Sequence, residues 1–292
     1  MSEVRNFGVN IELEKAQQDG TEFKFGALST PCLASFPAHL RAQYLPKGEL
    51  QNIGEEKMGC VSRGYINILE TKFNWLLKNK KLKPVNEKWL RENGYIENGK
   101  VVLSDAYIEI LSGTTRQGNS MKAPASAIHA WGLIPKSKLP QLNTFDEHMN
   151  PARVTPELKI LGKEFIARFP IEYDQVNKVH FSAVLDEDSL NAVGYAWPAP
   201  VNGEYPRVEL PYTHAFMVFF KPLYYIFDNY IDSVDGDFIK KLAPDYDLYE
   251  YAYRIYIVKE NIVSTNLETT DQAVSWITWL FSLLKIPYGK TN

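Results

Sequence analysis

Residues 58–79 read MGCVSRGYINILETKFNWLLKN, and this stretch decides the fold. Apolar side chains recur along it at helical spacing and form one stripe of Val61, Tyr65, Ile68, Leu69, Phe73 and Leu76. The pattern predicts a buried helix that begins at Cys60. Because a helix N-terminus stabilises a thiolate, we expect a lowered pKa for Cys60 if it is a nucleophile. Without a base nearby, a cysteine at this position is more often structural.

Outward from this helix, the first half of the chain shows further helical patterns and the second half shows strand patterns. Shorter helices are predicted at 86–93, at 104–111 with Ser104 as the cap, and at 123–131. Beyond about Lys178, runs rich in β-branched and aromatic residues predict strands: KVHFSAVL, NAVGYAW, HAFMVFF, LYYIFDNY and YAYRIYIV. We expect an α+β fold in which a helical lobe packs against an antiparallel β-barrel lobe.

The predicted organisation has four parts. Residues 1–48 are expected to be a leader packed on the body, 49–135 the helical lobe, and 136–265 the β-barrel lobe. Residues 266–292 form a predicted C-terminal helix and tail. The apolar face of this helix, in TTDQAVSWITWLFSLLK, is expected to pack on the chain itself or to contact an assembly partner or a second copy.

Composition excludes several classes of function. The chain has 292 residues and a formal net charge of −3, and its scattered basic residues do not form the footprint of a nucleic-acid binder. The longest apolar stretch is shorter than the about 20 residues that span a bilayer. The chain has only two cysteines, Cys32 and Cys60, and its polar N-terminus does not resemble a secretory signal. Both observations predict a reducing, cytoplasmic compartment. No ligand set at zinc spacing and no phosphate-binding loop is present, so no metal or cofactor is expected.

A base for Cys60 must come from one of five histidines. Only His214, in PYTHAFMVFF, stands at the start of a predicted strand, where its ring can project from the rim of a sheet. The next strand ends its apolar run at Asp228 and Asn229, which reach His214 if the two strands form a hairpin across Lys221-Pro222. Such a group fixes the tautomer and direction of the imidazole, the third role in nucleophile–base–orienter catalysis. Alone, His214 would more often be a histidine in the core.

The ordered set of these residues resembles the papain-like cysteine peptidases. GCVSRGYINILE is similar to the family's motif around its nucleophile, with Val61 in place of a tryptophan. His214-Ala215 is similar to the family's His-Ala, and Asp228-Asn229-Tyr230 to its Asn-Ser-Trp. YAYRIYI resembles its closing strand. The spacing from nucleophile to base, 214 − 60 = 154 positions, also resembles the family.

The resemblance implies roles for particular residues. It implies Cys60 as nucleophile, His214 as base, and Asp228 or alternatively Asn229 as orienter. It implies Tyr230 as a shield of that contact and as a residue of the substrate-binding set. It implies an oxyanion-binding Gln51, which precedes Cys60 by 60 − 51 = 9 positions, more than is usual in the family, so that Asn52 is an alternative donor. It also implies a substrate-binding edge at Gly118-Asn119-Ser120, where the family has paired glycines. The expected partner is a protein or peptide substrate.

Three functional interpretations remain open. The first is a cysteine endopeptidase that acts through a Cys-His-Asp/Asn triad and an acyl-enzyme. The second is a catalytically inactive structural or assembly protein of the same fold, favoured by the displaced Gln51 and the altered glycines. The third is a cell-wall endopeptidase or amidase. A compact, acidic chain without a signal would also suit a viral or phage maturation peptidase, associated with the virion in that case.

Overall fold

The computed structural model describes residues 8–18, 36, 38–195, 200–207, 212–220, 224–231 and 236–258. Cys32, the Lys221-Pro222 turn and the predicted helix of residues 266–292 lie outside these ranges. Helices in the described part are α1 Ile11–Ala16, α2 Ala38–Arg41, α3 Cys60–Lys78, α4 Pro84–Glu92, α5 Asp105–Leu111, α6 Lys122–Trp131, α7 Phe145–His148, α8 Pro156–Arg168 and α9 Phe181–Glu187. Strands are β1 Ile96–Glu97, β2 Lys100–Val101, β3 Ile171–Asn177, β4 Leu190–Tyr195, β5 Tyr212–Phe220, β6 Tyr225–Phe227, β7 Ile239–Lys241 and β8 Tyr251–Ile257.

The central helix α3 begins at Cys60 and is buried along nearly its whole length, which confirms the helix predicted from its sequence. The apolar stripe packs into the core, but polar residues of the helix are buried as well. Lys72, for example, forms a buried ion pair with Asp188, with 2.7 Å between Nζ and Oδ2. Burying a charge is costly unless it is paired or hydrogen-bonded, and here the ion pair offsets that cost. The helix is therefore enclosed on all sides, with strand β5 against one of its faces and helices α5 and α6 among its other neighbours.

The three shorter helices predicted from sequence are also confirmed. They are α4, α5 and α6, each within two residues of its expected ends. At the start of α5, Ser104 accepts a hydrogen bond from the N–H of Tyr107 at 3.2 Å, as expected of an N-cap serine. These three helices precede the main sheet in the chain, whereas α7, α8 and α9 lie within residues 136–265, the part predicted as a β-barrel lobe.

In the described residues, six strands form one antiparallel sheet in the order β3-β8-β4-β5-β6-β7. The strands β5 and β6 pair as neighbours, with Met217 opposite Phe227, so the predicted antiparallel pairing is confirmed. No pairing among the described strands joins β3 to β7. The sheet is therefore open, and the expected closure into a barrel is not supported, although the α+β class is.

The stretch KVHFSAVL was predicted to be a strand and is helical instead. A 3₁₀ turn covers Lys178–His180, and α9 follows directly from Phe181. The apolar residues Phe181, Val184 and Leu185 stand at positions i, i+3 and i+4, which is the spacing of a helix face. That face packs on the sheet in a core cluster with Leu190, Phe216 and Val218. The β-branched composition of the run was misleading, and the period of its apolar positions gives the correct structure.

Candidate functional site

Cys60 is the first residue of α3, and its side chain is only 1% exposed. Its Sγ accepts a hydrogen bond from the N–H of Ala215, at 3.4 Å. Burial raises the pKa of the Cys60 thiol, and the negative charges of Glu56 and Asp228 raise it further, whereas the N–H groups of Ala215 and Val61 lower it. The lowered pKa expected for Cys60 at the helix start is therefore wrong for the buried position that the thiol has in this structure. Desolvation there outweighs the effect of the helix N-terminus.

The N-cap position before Cys60 requires glycine. A Cβ added to Gly59 would lie 1.9 Å from Oε1 of Glu109. That carboxylate cannot move aside, because it pairs with the buried Arg63, 2.9 Å from Nε, and also contacts Nε2 of the buried His148. The small residue thus lets the start of α3 approach a fixed buried ion cluster, and this approach sets the position of the thiol.

His214 lies on β5 immediately before Ala215, so the thiol of Cys60 contacts the backbone beside this histidine. The imidazole is fully buried, and its Nε2 lies 2.6 Å from Oδ1 of Asp228. The ring of Tyr230 packs edge-on against it, with 5.4 Å between the ring centroids. The structure therefore brings together four of the residues selected from the sequence: Cys60, His214, Asp228 and Tyr230.

Asp228 is held by more than the histidine. Its Oδ1 also accepts the N–H of Asn229 at 2.7 Å, and its Oδ2 lies 2.8 Å from Nζ of Lys240 on β7. Burial opposes the charge of Asp228, but His214 and Lys240 outweigh it and lower the pKa of this carboxyl to about 2. The carboxylate is consequently ionised at any pH near neutrality.

The alternative orienter, Asn229, directs its side chain elsewhere. Its Oδ1 accepts from Nδ2 of Asn67 at 3.0 Å, and its Nδ2 donates to the carbonyl of Glu49 at 3.0 Å. Its backbone carbonyl accepts the N–H of Gln51 at 3.2 Å. Asn229 therefore ties the end of β6 to α3 and to the loop before it, while Asp228 contacts the imidazole.

Gln51 is fully buried, but its amide is occupied. Nε2 donates to Oε1 of Glu56 at 2.6 Å and to the hydroxyl of Tyr230 at 2.7 Å, and that hydroxyl in turn donates to Oε2 of Glu56. Both amide hydrogens of Gln51 are thus used within the protein. Oε1 of Glu56 also accepts the N–H of Met58 at 3.1 Å. Asn52 follows in the same turn and is half-buried.

The edge at Gly118-Asn119-Ser120 is covered by the beginning of the chain. Asn119 donates its N–H to the carbonyl of Gly8 and accepts the N–H of Asn10, both at 2.9 Å, in a parallel bridge. On the other side, the N–H of Val9 donates to the carbonyl of Thr213 at 3.4 Å. Residues 8–10, hereafter the covering segment, therefore run between the predicted substrate edge and the residue before His214.

Helix α1 anchors the covering segment through a buried carboxylate. Oε2 of Glu14 accepts the N–H of Met121 at 2.6 Å, and its Oε1 accepts the hydroxyl of Tyr253 at 3.2 Å. Burial raises the pKa of Glu14 more than these hydrogen bonds lower it. Ser120 also contacts this helix end, through Oε1 of Gln17. The segment is thus fixed by specific polar contacts.

The sequence did not indicate the roles of Lys240 and Glu56. A leader packed on the body was predicted for residues 1–48, but not that its residues 8–10 would lie on the predicted substrate edge. Lys240 stands in a short strand, IKK, where a lysine gives no signal of burial. Glu56 belongs to NIGEEKMG, the extra length between Gln51 and Cys60, and that insertion was the available signal. In the described part of the chain, no group of three or more histidine, cysteine, aspartate or glutamate side chains is arranged to hold a metal ion. No helix among the described residues is both long and apolar enough to cross a bilayer.

Among solved structures, the chain is similar to xylellain, a cysteine protease from Xylella fastidiosa. The TM-score is 0.51 at 14% identity, over 91% of this chain and 99% of that one. It also matches the cysteine protease and lectin-like domains of Cwp84 from Clostridium difficile, with TM-score 0.49, 10% identity, and coverage of 91% and 62%. Digestive procathepsin L 3 of Tenebrio molitor gives TM-score 0.48, 11% identity, and coverage of 87% and 76%.

No protein-family model matches the sequence, and no curated protein matches it. Because the sequence identity to xylellain is only 14%, this similarity shows a shared fold and nothing further.

Proposed function

We propose that this chain, which has the papain-like fold, is a cysteine peptidase with Cys60 as nucleophile, His214 as base and Asp228 as orienter. One observation carries the proposal. Sγ of Cys60 contacts the backbone N–H beside His214, while the imidazole of the same histidine is held by Asp228. A nucleophile, a base and an orienter at adjoining positions are the elements that covalent catalysis requires.

In the proposed reaction, the Cys60 thiol transfers its proton to His214, and the thiolate sulfur attacks a peptide carbonyl carbon. The carbonyl oxygen becomes an oxyanion, held by the backbone N–H of Cys60 and by the amide of Gln51, which must first release Glu56 or Tyr230. Collapse of this intermediate breaks the C–N bond, and His214 gives its proton to the leaving amine. Water, deprotonated by His214, then attacks the thioester and releases the acid and the free thiol.

The proposed substrate is an extended segment of protein or peptide. The support is the covering segment, whose backbone pairs with Asn119 through two hydrogen bonds. The backbone N–H and C=O of Asn119 are thus oriented to pair with an extended chain, and a substrate that replaces the covering segment can use them by strand addition. Turnover requires the covering segment to leave, because it occupies the backbone N–H and C=O of Asn119 that the substrate would use.

A second candidate is an inactive protein of the same fold with a structural or assembly role. Two observations favour it: burial raises the pKa of Cys60, and Gln51 donates both amide hydrogens to protein groups. Under this alternative the occupied amide is the permanent state of the molecule. A cleft that never opens would leave the thiol unreactive toward mechanism-based inhibitors.

The test is covalent labelling by a papain-class epoxide, read by intact mass and by peptide mapping that separates Cys60 from Cys32. Wild type is expected to take up one equivalent on Cys60. His214→Ala is expected to lose this labelling while remaining folded by circular dichroism, and Cys32→Ala is expected to keep it. No labelling of the folded wild type, or labelling at Cys60 that is indifferent to His214, contradicts the peptidase and favours the inactive alternative.

A further inference from the structure

Lys240 is a buried lysine at the far side of the candidate triad. It is 3% exposed, and its Nζ lies 2.8 Å from Oδ2 of Asp228. The same ammonium donates to the backbone carbonyl of Tyr230. Lys240 therefore contacts one carboxylate oxygen of Asp228 while His214 contacts the other.

The strand pairing places Lys240 at this position. On β7, Lys240 stands opposite Ile226 of β6, two residues before Asp228. The N–H of Asp228 donates to the carbonyl of Phe238 at 2.9 Å, which fixes the end of β6 against β7. The lysine and the aspartate are therefore held by the sheet itself, and a pair fixed in this way loses little entropy on forming.

The charge of Lys240 matters because Asp228 is close enough to influence the thiol. The negative charge of Asp228 raises the pKa of Cys60, so an uncompensated aspartate would disfavour the thiolate. With Lys240 in contact, the Asp228–Lys240 pair is neutral overall, yet Oδ1 still accepts the imidazole N–H. The pair then offers His214 a neutral hydrogen-bond acceptor, as an asparagine would.

We propose that Lys240 is a positioning residue of the peptidase site, which neutralises and fixes Asp228 so that an aspartate serves as a charge-balanced orienter of His214. This inference rests on the proposed function. Among the described residues, the titratable groups that interact with this pair or with its direct neighbours are Cys60 on α3, His214 on β5, Glu56 before α3 and Tyr230 after β6.

A merely structural role would be shared by a second buried lysine–aspartate pair in the described part of the chain, Lys72 with Asp188. Lys72 lies twelve residues beyond Cys60 on α3, about 18 Å along the helix axis. Lys72→Met is therefore the matched control for Lys240→Met. Each variant removes a buried ammonium group that pairs with an aspartate. Only Lys240→Met does so at the aspartate that contacts the imidazole of His214.

The experiment measures the rate at which iodoacetamide alkylates Cys60, across pH, with peptide mapping to exclude Cys32. The variants are Lys240→Met, Asp228→Asn, the double variant Asp228→Asn/Lys240→Met, and Lys72→Met. In Lys240→Met the pH at which the rate rises is expected to move up by about one unit, because Asp228 is left uncompensated. In Asp228→Asn it moves down, because Lys240 is left uncompensated. The double variant returns to within a few tenths of wild type.

Lys72→Met is expected to lower the thermal midpoint without moving the pH profile. A Lys240→Met profile that superimposes on wild type, or one matched by Lys72→Met, overturns the inference while the peptidase stands. If Lys240→Met does not fold, the double variant decides: a profile like wild type supports the inference, and one like Asp228→Asn overturns it. A wild type whose Cys60 is unreactive, or indifferent to His214→Ala, instead removes the proposed function.

Discussion

Nε2 of His214 lies 2.6 Å from Oδ1 of Asp228, and neither side chain reaches solvent. A short contact between a buried imidazole and a buried carboxylate fixes the ring in one direction. It also makes the fold depend on the charge of the aspartate, because that charge is balanced by His214 and Lys240. The geometry of the site and the stability of the protein are therefore linked through one carboxyl group.

The first prediction concerns acid stability. The pKa of Asp228 is about 2 in the folded protein against an ordinary value of 3.8. A depressed carboxyl pKa stabilises the fold above the unfolded pKa, and this stabilisation is lost as pH falls from about 4 toward 2. The loss amounts to about 2 kcal/mol. Urea unfolding from pH 6 to pH 2 measures it, and Asp228→Asn is expected to lack this component. Parallel pH curves for the two proteins would contradict the assignment.

The second prediction concerns the covering segment. Gly8 has a φ of +119°, and a Cβ added there would lie 2.3 Å from the carbonyl oxygen of Met58, two residues before Cys60. Gly8→Ala is expected to displace the segment and to raise the rate of epoxide labelling at Cys60 about tenfold, given a strain of 1–3 kcal/mol.

Gly203→Ala is the control for this prediction. Gly203 also has a positive φ, +78°, but nothing lies within 4 Å of the position of its Cβ. Gly203→Ala therefore introduces the backbone strain of a positive φ without a clash against the backbone near Cys60. Labelling rates that rise equally in both variants would show that general destabilisation, and not release of the segment, exposes the thiol.

The third prediction concerns the helix start. Gly59→Ala brings a methyl group to 1.9 Å from a carboxylate oxygen of Glu109 that Arg63 and His148 hold in place. Overpacking of a site that cannot relax costs about 3 kcal/mol. The expected result is a lower urea midpoint together with slower alkylation of Cys60, since the first turn of α3 must shift. An unchanged midpoint would show that the Glu109 cluster yields easily.

Local sequence patterns were sufficient to predict many of the helices and strands of the fold. The stripe from Val61 to Leu76 predicts α3 because a helix repeats its face every three or four residues, and the Ser104 cap acts within one turn. The strand prediction for KVHFSAVL failed because composition was given more weight than spacing. Whether the sheet closes into a barrel could not be predicted from the strand sequences. Closure depends on the tilt and stagger of all strands together, which the sequence of one strand does not encode.

The contacts of the candidate site were likewise predicted only in part. The resemblance to the papain-like peptidases, carried by the order of Cys60, His214 and Asp228, predicted the contact of His214 with Asp228 and the place of Cys60 beside them. The contact of Lys240 with Asp228 was not predicted, because it depends on how β6 pairs with β7. The contact of Glu56 with Tyr230 was not predicted either, since it joins residues 174 positions apart. The occupied state of Gln51 likewise follows from the position of Tyr230, which lies 179 residues along the chain from it.

The last prediction separates the two candidate oxyanion donors. The amide of Gln51 is fully buried beside Glu56 and Tyr230, and Asn52 stands next to it in the turn. If Gln51 turns to the oxyanion when substrate enters, Gln51→Ala is expected to lower kcat about 10²- to 10³-fold with little change in KM. Gln51→Glu, which keeps the shape but removes the donor, is expected to lose as much. Asn52→Ala is the matched control, with kcat within about threefold of wild type. A larger loss in Asn52→Ala than in Gln51→Ala would transfer the role to Asn52, because only the group that contacts the developing charge affects kcat selectively.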